Sequence, residues 1–301
     1  MSHSSSKKSK PTKPASSLRE VLKAPSGTVD VTQFDTAATP LFPGHGKADA
    51  PAQTAILQPV LSDLQERLYA NFRGDSSPEV SKGKKDNILL VLQGMDTAGK
   101  SGVVRHVIGL VDPQGVTITG FKAPTPAERR HDFLWRIRRA LPAPGMIGVF
   151  DRSHYEDVLI QRVEGMVPPE EIEKRYGLIN DFEAELVAGG THIIKCYLSM
   201  SNAEQKSRML ARLDDPTKYW KFSGSDLPVR LKWDQYMAAY GVALTRCNTD
   251  DAPWYIIPSD KKWYRNWAVA KILTETLQDM NLNWPPATYD IAAEIAQVKA
   301  S

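Results

Sequence analysis

Gly94-Met95-Asp96-Thr97-Ala98-Gly99-Lys100-Ser101 is the stretch on which the reading of this chain turns. It satisfies the phosphate-loop pattern GxxxxGK[ST] in full. At average residue usage, chance would place such a match in a chain of 301 residues on the order of 1% of the time. The match also lies between a short apolar run, Asn87 to Leu92, and a helical stretch, Val103 to Leu110. Its physics is plain. Glycines let backbone N–H groups converge on phosphate oxygens, the helix N-terminus adds partial positive charge, and Lys100 supplies a mobile full charge. Asp96 is the odd member, since a carboxylate inside such a loop repels phosphate unless a cation stands between. It is therefore assigned to Mg²⁺, directly or through water, with an Asx-type turn cap as the bland alternative.

Outward from this loop, the chain beyond Leu57 alternates helical segments with short apolar runs, the pattern of a parallel sheet covered by helices. The strand candidates are Asn87 to Leu92, Val116 to Phe121, Met146 to Phe150, His192 to Leu198 and Trp254 to Ile257. Strands buried on both faces read this way. Thr125-Pro126-Ala127-Glu128 supplies an N-cap, a first-turn proline and a capping-box glutamate, and Ser201 with Glu204 repeats the spacing. A third helix starts at Pro168-Pro169-Glu170-Glu171, carries Ile172, Tyr176, Ile179, Phe182 and Leu186 at helical spacing, and stops at Gly189-Gly190. One α/β domain over residues 57–285 is expected. Residues 1–16 read as a disordered basic tail, 17–56 as an irregular segment packed on the body, and 286–301 as a C-terminal tail.

The third apolar run ends in Asp151-Arg152-Ser153-His154-Tyr155-Glu156-Asp157. An aspartate at the carboxyl end of a parallel strand beside a phosphate loop is placed to ligate a metal or serve as a base in phosphoryl transfer. Arg152 can neutralise phosphate oxygens. Glu156 and Asp157 are candidates to hold a second metal or orient an acceptor, and read equally well as a solvated acidic pair. His154 reads as a packing or supporting residue, because transfer onto another phosphate takes no proton from a hydroxyl. Arg208 and Arg212, on the helix begun by Ser201, run into a stretch where Pro216 ends the helix and Lys218 and Lys221 interleave with Tyr219, Trp220 and Phe222. A lid at about 204–226 that closes over phosphates has this composition, as does an amphipathic helix with solvated charges. Among Arg129, Arg130, Arg136, Arg138 and Arg139, most read as surface charges on the helix after Lys122, with Lys122 and Arg129 nearest the site. Trp233, Trp254, Trp263, Trp267 and Trp284 are expected in the core.

Composition sets the outer limits. A chain 42% hydrophobic and 24% charged is ordinary globular usage, which excludes collagen, coiled-coil rods and wholesale disorder. No apolar run nears the ~20 residues that cross a bilayer, and Cys196 and Cys247 make neither a disulfide framework nor a metal motif, so a cytoplasmic protein is expected. Seven Lys/Arg against four Asp/Glu lie in residues 1–50, which leaves 31 basic and 31 acidic residues in the remainder. The body is neutral, and a global basic field of the nucleic-acid-binding kind is absent.

Together GMDTAGKSG, FKAPT, HDFLWR, FDRSHYEDV and DDPTKYWKFS closely resemble the polyphosphate kinase 2 family over about Leu18 to Leu282. The resemblance implies a thymidylate-kinase-like P-loop kinase fold: three layers, a central parallel five-stranded sheet and a helical lid. It implies a homodimer or homotetramer that moves the terminal phosphoryl group of inorganic polyphosphate onto a nucleotide with Mg²⁺ or Mn²⁺. By the same resemblance Asp96 and Asp151 are the metal-binding aspartates, Lys100 the phosphate-loop lysine, and Arg152, Arg208 and Arg212 the polyphosphate and transition-state contacts. Gly94, Thr97, Ala98, Gly99, Lys100 and Ser101, with Lys122, Lys218 and Lys221, are the candidate phosphate-binding residues. Ser101 departs from the Asp or Gly frequent there. Glu156-Asp157 resembles the subgroup that accepts nucleoside mono- and diphosphates, AMP and ADP or GMP and GDP. The rival reading is an ATP-dependent nucleoside monophosphate kinase on the same fold. A binding module whose basic tail contacts RNA or polyphosphate without chemistry is the more distant one.

Overall fold

The computed structural model describes residues 17–72 and 86–301. Its centre is one sheet of five strands, β1 (Asn87–Gln93), β2 (Val116–Gly120), β3 (Ile147–Asp151), β4 (Thr191–Ser199) and β5 (Trp254–Pro258), in the order β2-β3-β1-β4-β5. Every pairing is parallel. The central strand β1 is wholly buried, as an apolar run covered on both faces must be. The edge strand β2 is half exposed. Register sets Leu92 opposite Asp151 on one side and Cys196 on the other, so the carboxyl ends of β1 and β3 are level. The phosphate loop and Asp151 thus leave the sheet at the same edge.

Helices sandwich the sheet. Ala50–Ala70, Lys100–His106 and Lys262–Asp279 pack together, and Ile160–Val163 packs with Pro169–Ala188 and Trp233–Arg246, giving the three-layer α/β arrangement. All five expected strands are present, with no end moved by more than one residue. The helix expected from Thr125 is not. Its capping pair forms (Thr125 N–H to Glu128 Oε2, 2.7 Å; Glu128 N–H to Thr125 Oγ1, 3.2 Å). Only a 3-10 turn, Glu128–Arg130, follows before Asp132 accepts from Leu134 N–H at 3.0 Å and starts a separate five-residue helix, Trp135–Arg139. A side chain that bonds its own backbone two residues on competes with the helix ladder. The Ser201 box closes by half: Ser201 Oγ takes Glu204 N–H at 3.1 Å, while the Glu204 carboxylate goes to Arg208 instead.

Residues 1–16 lie outside the described residues. A capping box of Ser17 and Glu20 starts the helix Leu18–Leu22, Glu275 accepts from the N–H groups of Leu18 and Arg19, and Lys23 bridges antiparallel to Tyr255. Leu18, Leu22, Val29 and Val31 join the main core. The helix Ala50–Ala70 begins before residue 57, and the C-terminal stretch carries an exposed helix, Ile291–Ala300, capped by Asp290. Trp284, expected in the core, is 49% exposed, with Arg67 over its ring. Cys196 and Cys247 are buried and unpaired. Among the described residues no helix is long and apolar enough to cross a membrane.

Candidate active site

The loop after β1 folds back on itself: Ala98 N–H donates to Met95 O at 3.0 Å, Thr97 sits at φ +69°, and Gly99 at φ +109° opens the helix Lys100–His106. Lys100 is buried, and its Nζ donates to Gly94 O at 2.7 Å and Met95 O at 3.4 Å. Burial lowers its pKa and Arg152 adds to that, against the upward pull of Asp96, Asp151 and Glu156. Ser101 Oγ donates to Asp151 Oδ2 at 3.3 Å, tying the loop to the end of β3.

Arg152 follows at φ +66°, a left-handed conformation that costs a non-glycine residue about 1–2 kcal/mol. The turn is pinned where Arg152 N–H donates to Leu92 O at 3.1 Å, and the guanidinium donates to Asp96 Oδ1 at 2.8 Å. Burial would lower the Arg152 pKa, but Glu156, Asp96 and Asp151 outweigh it and hold the guanidinium charged. Glu156, its pKa raised by burial against the pull of Arg152 and Lys100, accepts from the Gln93 amide at 3.0 Å, while the same amide's oxygen accepts from Ser153. Asp157 lines the adjoining cleft, its buried Oδ2 without a hydrogen-bond partner. Its backbone and side-chain oxygens accept from Arg175 Nη1 at 3.1 and 3.4 Å, and Arg136 stands 3.9 Å away.

Asp96, Arg152 and Glu156 share a cleft of ≈ 320 Å³ with Phe121, Lys122, Arg136, Met166, Val229, Tyr236 and Tyr240. This cleft corrects the reading of the arginine cluster. Arg136 lines it and donates to Lys122 O at 2.7 Å, whereas Arg129 is exposed and donates to Pro124 O. Gln93, Tyr236 and Tyr240, which no motif marks, join the site through the fold.

The expected lid comprises the helix Asn202–Leu213, a 3-10 turn Pro216–Lys221 and the helix Asp226–Leu231. Arg212 donates to Lys221 O at 2.8 Å and lies 3.6 Å from Asp226. Lys218 pairs with Asp215 and Lys221 lies over the Trp220 ring, so neither is brought to the loop here. Arg208 is placed differently from a substrate contact. Its Nε donates to Glu204, Nη1 to Thr97 O and Ala98 O, and Nη2 to Ser259 O and Asp260 O. All five N–H groups are used, and Arg208 lies beneath the loop with none to offer an anion.

The donor set facing the loop is oxygen only: Asp96, Asp151 and Glu156 carboxylates with the Ser101 hydroxyl. Among the described residues no three His, Cys, Asp or Glu side chains form a cage for an ion. A hard dication that keeps several waters and takes one or two carboxylates fits this set; a four-ligand zinc centre does not. Chemically, the loop can bind one phosphate chain, the cleft a second phosphorylated molecule, and Arg152 stands between them with its charge preserved.

Residues 48–285 match the family model described as Polyphosphate kinase 2. An AMP/ADP-polyphosphate phosphotransferase of Meiothermus ruber is 42% identical over 87% of this chain and 93% of its own. An ADP-polyphosphate phosphotransferase of Rhodopseudomonas palustris is 38% identical over 90% and 93%. A crystal structure of polyphosphate kinase 2 from Arthrobacter aurescens is 49% identical, covers 96% of this chain and 99% of its own, and superposes with a TM-score of 0.88. The chain belongs to the polyphosphate kinase 2 family.

Proposed function

We propose that this protein transfers the terminal phosphoryl group of inorganic polyphosphate to AMP and ADP, giving ADP and ATP. The observation that carries the reading is the level placement of the phosphate loop and the Asp151–Glu156 turn, with Arg152 between them and a cleft of acceptor size on the far side. The polyphosphate kinase 2 relatives, which act on AMP and ADP by name, favour polyphosphate over ATP as donor.

In this reading the donor's end phosphate lies on the amides of Gly99 to Ser101, and Lys100 leaves the carbonyls of Gly94 and Met95 to meet it. The acceptor's phosphate enters the cleft beside Arg136 and Arg152, and its terminal oxygen attacks the donor phosphorus in line. No hydroxyl is deprotonated, so no base is required; the chain's contribution is alignment and charge compensation. Mg²⁺, or Mn²⁺ in its place, would be held by Asp96 and Asp151 with Ser101 nearby, and supplies electrostatic stabilisation of the phosphate oxygens when bound. Assembly of like subunits, two or four, belongs to the same reading. The exposed Ile291, Ile295 and Val298 on one face of the C-terminal helix support it, and the buried, unpaired thiols suit the cytoplasm.

The test is nucleotide formation from AMP or ADP with long-chain polyphosphate and Mg²⁺, beside ATP as sole donor, resolved by chromatography. ADP and ATP accumulate from AMP with polyphosphate; reaction in the ATP tube alone makes the enzyme an ordinary nucleotide kinase. D151N loses turnover by about 10³-fold or more with its circular dichroism unchanged, and a D151N protein of wild-type activity removes Asp151 from the metal site.

A further inference from the structure

Arg265, in the first turn of the helix Lys262–Asp279, is 3% exposed and carries no recognised motif. Its Nη1 donates to Ala98 O at 2.9 Å, and its Nε and Nη2 both donate to Asn266 Oδ1 at 3.1 and 2.8 Å. These acceptors are all neutral. Ala98 O also accepts from Arg208 Nη1 at 3.2 Å. Two guanidiniums therefore converge on one carbonyl of the phosphate loop, with the single carboxylate of Glu204 on the Arg208 side. Burial, and then Arg208, push the Arg265 guanidinium down to about 9, the direction for a buried cation whose charged neighbour has the same sign.

The glycines of the loop are shaped around this group. A Cβ on Gly99 would lie 1.8 Å from Arg265 Nη1, and one on Gly102 would lie 2.6 Å from Nη2. The guanidinium thus packs against the backbone that carries the phosphate-binding amides. In a trans peptide the C=O and the following N–H point opposite ways. Fixing Ala98 O from beneath consequently turns Gly99 N–H to the other side, the side on which the function proposed above puts the phosphate.

We propose that Arg265, with Arg208 beside it, is a positioning residue for the phosphate loop: a buried cation with no carboxylate of its own that aims the loop amides and raises their affinity for a phosphate chain. The identity of that chain as the polyphosphate donor rests on the function proposed above. A carbonyl that accepts from a cation polarises its peptide group and makes the linked N–H a stronger donor. The excess positive charge acts on the same anion across one layer of backbone.

The test uses the full chain with R265Q, R265K and G102A. KM for polyphosphate and for AMP, kcat, the melting temperature and calorimetric Kd for inorganic tripolyphosphate without nucleotide are measured for each. R265Q raises the polyphosphate KM and the tripolyphosphate Kd by about tenfold while KM for AMP stays within about twofold, and R265K recovers part of the loss. In G102A the new Cβ displaces the flexible end of Arg265 without deleting its charge, at a helical position where alanine is favoured; both donor constants rise, by less than in R265Q. A folded R265Q with wild-type donor KM and tripolyphosphate Kd overturns the proposal. If R265Q does not fold, wild-type constants in G102A overturn it. A wild-type enzyme that ignores polyphosphate but uses ATP breaks the donor reading instead, and the tripolyphosphate Kd still decides the role of Arg265.

Discussion

Lys195 and Arg265 are both buried cations, 0% and 3% exposed, and they are treated in opposite ways. Lys195 points from the middle of β4 into a complete set of partners: Glu183 at 2.5 Å, Tyr155 Oη at 2.9 Å and Cys247 O at 2.7 Å. His154 Nε2 and Tyr155 Oη, from the turn after Asp151, both donate to Oε1 of the same Glu183. Charge is neutralised where it is buried, and the turn that follows Asp151 is anchored to the helix Pro169–Ala188. Beneath the phosphate loop the second cation meets only a neutral carbonyl and an amide. A buried pair that is internally balanced serves the fold; a buried cation left without its counter-charge marks the place where an anion from outside completes the balance.

The strongest way to break this contrast is K195M. Removing Lys195 leaves the buried Glu183 without its ammonium partner, so urea unfolding should show a loss of about 3–5 kcal/mol. KM for polyphosphate in the protein that remains folded should not move, and a rise in that KM would place the pair in the site after all. A smaller effect sharpens it from the acid side. Burial would raise the Glu183 pKa, but Lys195 and His154 outweigh it and hold the carboxylate below its ordinary 4.5. With the folded pKa depressed, the contribution is fully present above the unfolded value and is lost as pH falls through the folded one. Urea midpoints measured downward from pH 6 should therefore fall more steeply in the wild type than in K195M/E183Q, and parallel slopes would show that the pair is not coupled. The smallest effect separates cleft from surface. R136M should raise KM for AMP about tenfold while R129A stays within about twofold, and equal effects would return Arg129 to the site.

The strands were legible because a strand buried on both faces has one sequence solution, a short apolar run, and β1, β3 and β4 have no other role that would blur it. The segment after Thr125 was not, because its capping signal is local and its continuation was decided by Asp132, which bonds its own backbone at Leu134. In the site, the phosphate loop and Asp151 announce themselves, since their chemistry needs fixed residue types at fixed spacing. Arg265 lies far down the chain with no pattern around it, and only the small residues at 99 and 102 hint at it. Read as sequence, Gly99 faces phosphate and Gly102 carries no role. The fold adds that both face an arginine. Arg208 shows the same limit: helical spacing put it on the lid, and only the fold shows it spent on five backbone and carboxylate acceptors behind the loop.

One further consequence follows from the Lys100 ammonium resting on Gly94 O and Met95 O. The loop is stoppered by its own side chain, so a phosphate chain arrives by exchange and not by addition, and the first step of recognition is an eviction. The effort of that eviction is the same whatever hangs beyond the end phosphate, whether a long inorganic chain or a nucleoside. In the function proposed above the loop is thus a toll gate blind to the traveller's identity, and the choice between one donor and another falls to groups that meet the molecule beyond its end phosphate.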